Sequence, residues 1–96
     1  MYILVVNYSQ TPELVAPHIE THGAWVKKYF NEGVFLAAGP KKNKLGGVIL
    51  AHSIEKEKIM QIISEDSYVK ADVADYQVIE IDCKLTANGL EHLIGC

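Results

Sequence analysis

Apolar residues along the chain fall into four short runs, separated by two longer stretches in which they recur every three or four positions. The first run, Tyr2–Tyr8, has the length and β-branched content of a strand. Alternation places Tyr2, Leu4, Val6 and Tyr8 on one face and Ile3 and Val5 on the other. Both faces are apolar, so each needs a cover. Ser9–Pro12 is turn-like, with Thr11 placed to cap a short helical turn that begins at Pro12. Pro17 restarts or kinks the helix. From His18 to Asn31 the periodicity predicts a helix, with Ile19, His22, Val26 and Phe30 on its apolar side and Trp25 and Tyr29 alongside. Glu20, Lys27, Lys28 and Glu32 take the other side, and Gly33 closes the helix.

Val34–Ala38 predicts a second strand, Gly39–Leu45 a loop and Gly46–His52 a third strand. A connection this short favours an antiparallel hairpin. Ser53 is the expected N-cap of the next helix, whose inward stripe is Ile59, Ile62 and Ile63, with Met60 alongside. Lys56 stands where a capping box would have Glu or Gln. The helix breaks near Asp66-Ser67, and Tyr76–Ile81 is the fourth strand. From Lys84 to Cys96 the chain reads as a tail, with one short apolar turn at Leu90, Leu93 and Ile94. The order is β-α-β-β-α-β, the ferredoxin-like α+β arrangement, in a single domain spanning residues 1–96. Two helices cover one face of a four-stranded sheet. The other face calls for a second subunit, so a homodimer is expected.

Composition narrows the partners. Ninety-six residues support one core, and a core of that size is marginal alone. The net charge of −3 argues against nucleic acid, because phosphate binding needs a basic face. No apolar run approaches a membrane span. Two cysteines, Cys83 and Cys96, are too few for a disulfide scaffold and belong to no metal motif. Met1–Val6 lacks the basic leading region of a signal peptide. A reducing, cytoplasmic setting is the expectation.

His22 is the strongest candidate for chemistry. A histidine on an apolar helix face is either a core residue satisfied by a buried partner or a group facing a pocket. The second role needs an acid to set its tautomer, and Asp66, at the end of the other helix, could supply it. Gly39 and Pro40 either end a strand or let backbone approach a ligand closely. Lys41, Lys42 and Lys44 read first as a solvated loop. His18 and His22 are four apart, but Glu20 is one position out of the zincin register and no third ligand is evident, so no metal is expected. Cys83 should point with Ile79 and Ile81 and be buried. Tyr8, Trp25 and Tyr68 read as core or interface residues that could also line a pocket.

In combination, five segments resemble the YciI-like (YCII-related) family. They are His22-Gly23-Ala24-Trp25, Gly33–Pro40, Gly46–Leu50, Asp66–Val69 and Tyr76–Glu80. The resemblance implies a dimeric ferredoxin-like α+β barrel with His22 and Asp66 as the suspected active-site pair. It also implies a pocket for a small molecule, edged by Gly39, Pro40, Trp25 and Tyr68, and acid–base chemistry without a cofactor. One branch of the wider family is linked to removing HCl from chlorinated hydroxyquinol-type rings. Two positions depart from the family's pattern: Ala38 stands where Ser is frequent, and Ser67 where Pro is frequent. The alternative is a dimeric binding or interaction module that uses the same pocket without turnover.

Overall fold

Strand β1 (Tyr2–Tyr8) runs through the interior of the sheet, because it is the strand that is apolar on both sides. The computed structural model describes residues 1–96. Strands β2 (Phe35–Pro40), β3 (Gly46–Ala51) and β4 (Ala74–Glu80) complete an antiparallel sheet in the order β2-β3-β1-β4. The register pairs Leu4 with Ile49 on one side and with Val78 on the other. The β-α-β-β-α-β order and its antiparallel sheet are those the sequence predicts.

Helices lie on one face. A short helix α1 (Pro12–Val15) and a 3₁₀ turn (Ala16–His18) lead into α2 (Ile19–Asn31). Helix α3 (Lys56–Ser64) and the single turn α4 (Ser67–Lys70) precede β4. Tyr2, Leu4, Ile49, Ala51, Ile59, Ile62 and Ile63 are buried between sheet and helices, together with Trp25, Tyr29 and Phe35. A smaller cluster of Val6, Val15, Tyr68, Val73 and Ala74 closes the end of the core under α4.

Several boundaries and faces differ from the sequence reading, each for a local reason. The inward face of α2 is centred on Trp25 and Tyr29, with Ile19 and Phe30 52% and 38% exposed. At 100° per residue, that face is rotated by roughly 85° from the predicted stripe. The two aromatics bury more area than Ile19 and Phe30 would, and so they set the rotation. Trp25 Nε1 donates to the Ile62 carbonyl at 2.9 Å, which ties α2 to α3. Helix α3 starts at Lys56, with Glu55 rather than Ser53 in the capping position. The Tyr2 hydroxyl donates to the Ile54 carbonyl at 2.8 Å and keeps the approach extended. Thr11 occupies the cap of α1 without a side-chain bond.

Strand β2 runs on through Gly39 and Pro40, because Pro40 pairs with Gly47 across the hairpin. Strand β4 starts earlier than predicted, where Ala74 pairs with Tyr8. The strand ends at Glu80, so Cys83, expected to be buried, lies beyond it and is only half-buried, with its Sγ near the Leu85 carbonyl. Met60, Leu90 and Ile94 are exposed. Gly33 does close α2, at a φ of +76° and with its amide on the Phe30 carbonyl.

Candidate functional site

His22 lies in the second turn of α2 and Asp66 caps the N-terminus of α4, 44 residues later. The core packing of α2 on the sheet, and of α3 on α2, brings these two helix ends together. His22 Nδ1 and Asp66 Oδ1 are 2.7 Å apart. The Asp66 side chain is fully buried, and that of His22 is 19% exposed.

A buried carboxylate needs compensating donors. Asp66 has three. The Tyr68 amide donates to Oδ1 at 3.1 Å, which is also the helix cap, and the Tyr76 hydroxyl donates to Oδ2 at 2.6 Å. His22 supplies the third. An ionised carboxylate only accepts, so the network assigns the proton to Nδ1 and leaves a lone pair on Nε2. Burial, the hydrogen bond to Asp66 and its charge push the Tyr76 phenol far above the ordinary tyrosine range. Tyr76 is therefore a fixed donor to the carboxylate.

The imidazole is held on its faces as well as at its edge. The Tyr68 ring stacks on it with centroids 3.9 Å apart and planes 2° from parallel. Trp25 approaches at 5.6 Å with a 35° tilt. Behind the pair, Thr21 Oγ1 is 2.8 Å from Ser67 Oγ, and the Ser67 hydroxyl donates to the His18 carbonyl at 3.1 Å. This hydroxyl clip joins the start of α2 to the start of α4, next to both site residues.

His22 borders a cavity of about 290 Å³ between α2, α4 and the β2–β3 hairpin. Gly39, Pro40 and Tyr68 line it too, as do Tyr8 and Ala38. The cavity opens along β2, where Ala37–Pro40 are exposed. Its floor needs small residues. A Cβ on Gly46, at a φ of +144°, would stand 1.9 Å from the Val6 carbonyl oxygen. One on Gly47 would stand 2.9 Å from the Gly39 oxygen. Above Gly39 itself a Cβ would meet nothing, so the space there is open.

The structure thus brings together His22, Asp66, Gly39, Pro40 and Tyr68. It does not bring Trp25 to the cavity wall: the indole is core, packed on Phe35 at 5.2 Å. Sequence reasoning missed Tyr76 and the Thr21–Ser67 clip, whereas Tyr8, which it named among the residues that could line a pocket, does so. Tyr76 alternates with Asp75 and Gln77 on β4, and that pattern could have placed it on the helix side of the sheet. No group of three His, Cys, Asp or Glu side chains converges to hold a metal ion. His18 precedes α2 as its cap residue. No helix is long and apolar enough to cross a membrane.

The YCII-related domain family matches residues 1–82. No curated protein sequence matches the chain. Among solved structures, the chain is similar to 5-chloro-2-hydroxyhydroquinone dehydrochlorinase from Burkholderia phenoliruptrix AC1100, in complex with 2,5-dihydroxybenzoquinone. The TM-score is 0.67 at 14% identity, covering 84% of this chain and 93% of the other. At that identity the likeness is one of fold.

Proposed function

We propose that this chain, which belongs to the YCII-related family, is a small-molecule enzyme in which His22 is the general base and Asp66 its orienting partner. The observation that carries this reading is the 2.7 Å bond from His22 Nδ1 to Asp66. It commits one ring nitrogen and leaves Nε2 as the base at the wall of the cavity. When Nε2 takes a proton the ring becomes a cation, with the Asp66 carboxylate bonded to its other nitrogen.

The chemistry this supports is proton abstraction from a compact substrate, with no cofactor required by the scheme. Elimination of HCl, the reaction the structural neighbour's name denotes, belongs to this class: a base removes the proton and chloride leaves with the bonding pair. No side chain that lines the cavity marks a halide site.

The same reading includes a homodimer. Ile3, Val5, Val48 and Leu50 share the sheet face that the helices leave free, and Ile79 on that face is 38% exposed. A second copy would cover them. Light scattering over a dilution series checks this, and a monomer throughout removes the dimer.

The test of function begins with 2,5-dihydroxybenzoquinone and related hydroxylated rings. Thermal shifts should identify those that bind, and turnover assays should follow. His22→Ala should lower turnover by about 10² to 10⁴, the usual cost of losing a general acid–base group. Turnover untouched by His22→Ala would remove the catalytic role. Binding without turnover of any ring would favour the binding-module reading.

A further inference from the structure

The cavity is lined by apolar side chains and glycines, and its only polar side chains are His22, Tyr8 and Tyr68. The chain has five tyrosines. Three have committed hydroxyls: Tyr2 donates to the Ile54 carbonyl, Tyr29 to Glu65 and Tyr76 to Asp66. The remaining two are those that line the cavity; neither hydroxyl meets a carbonyl or carboxylate, and that of Tyr68 has the Tyr8 hydroxyl beside it.

Tyr68 is only 4% exposed, yet no buried side-chain oxygen or nitrogen lacks a partner. Its uncommitted hydroxyl is therefore an accessible atom on a buried residue, and it is accessible to the cavity. Tyr8 meets the Tyr68 ring edge-on, with centroids 5.8 Å apart and planes at 89°. Burial first, and then the neighbouring Tyr8 hydroxyl, push the Tyr68 phenol far above its usual range, so it stays a neutral donor. The stack of Tyr68 on His22 fixes the hydroxyl relative to the base.

We propose that Tyr8 and Tyr68 form a paired hydroxyl donor for a substrate oxygen, the oxygen that gathers negative charge as His22 removes a proton. This rests on the functional reading above and names its substrate class: compact ring compounds whose carbonyl lies next to the carbon that loses the proton. In the step, the Nε2 lone pair forms the new N–H bond. The C–H bonding pair becomes a C=C bond, and the carbonyl π pair moves onto oxygen. That oxygen accepts hydrogen bonds from the two phenols, and the proton stays on Nε2 opposite Asp66. Donors placed where charge develops are the device that lowers such barriers most.

The test needs no knowledge of the natural substrate. The probe is p-nitrophenol, whose phenolate imitates the enolate oxygen and reports its ionisation by absorbance. p-Nitrotoluene, of the same ring size without the oxygen, is the control. The intact protein should bind p-nitrophenol as its phenolate. Tyr68→Phe and Tyr8→Phe, each made separately, should weaken that binding by about 10- to 100-fold, the worth of a hydrogen bond to a charged group. Neither change should alter p-nitrotoluene binding by more than about twofold, since the rings remain. Equal losses for both probes, or none for either, overturn the donor pair while leaving His22 as base. If the intact protein binds neither probe, the cavity takes no ring and the functional reading falls as well.

Discussion

The Tyr76 hydroxyl donates to Asp66 Oδ2 across 2.6 Å, on the opposite oxygen from the one that receives His22. A residue on β4 thereby sets the carboxylate, and the carboxylate sets the imidazole on α2. The bond is charge-assisted and its acceptor is fully buried, so removing the donor costs more than an average hydrogen bond. Tyr76→Phe keeps the ring that Trp25 packs against at 6.3 Å. The variant should lose about 2 kcal/mol of stability in urea unfolding. An unchanged midpoint would mean that the hydroxyl is not holding Asp66.

Ser67 offers a test of the clip. It is the first residue of α4, where proline is well accommodated. Asp66 before it has φ −65° and ψ 131°, which suits a residue preceding proline. Ser67→Pro removes the bonds to Thr21 and His18 but restricts the unfolded chain. These terms oppose one another at similar size, so stability should change by less than about 1 kcal/mol. A loss of several kcal/mol in urea unfolding would show the hydroxyl clip to be essential.

Alkaline pH should unfold the protein through its tyrosines. Burial, then the bond to Glu65, pushes the Tyr29 phenol up to about 12, and Tyr68 and Tyr76 lie higher still. Above about pH 10 the unfolded chain releases these protons while the folded chain keeps them. The folded state then binds more protons, so unfolding free energy falls as pH rises. Stability should be intact below about pH 10 and decline through the window that leads to 12 and beyond. Urea midpoints across that range, with phenolate absorbance followed in parallel, check this. A flat profile would contradict it.

The fold was readable because its signals are local and redundant. The two-sided apolar run of β1, the isoleucine stripe of α3 and the Gly33 stop each follow from residue type and spacing alone. The rotation of α2 was not readable, since a count of apolar positions does not weigh Trp25 and Tyr29 against Ile19. Nor was the start of α3, which depends on Tyr2 reaching across 52 residues to the Ile54 carbonyl. At the site, His22 and Asp66 stand out as residue types, whereas Tyr76 looks like an ordinary strand aromatic. Its role comes from the partner its hydroxyl meets, and that depends on how β4 sits against the helices.

The role proposed for His22 requires Asp66 to hold the proton on Nδ1 and leave Nε2 bare. Long-range proton–nitrogen NMR of the neutral His22 ring, assigned with His22→Gln, reads this directly. The account predicts a protonated Nδ1 and an unprotonated Nε2, with p-nitrophenol moving the Nε2 resonance far more than that of Nδ1. A ring carrying its proton on Nε2, with Nδ1 bare, would contradict it.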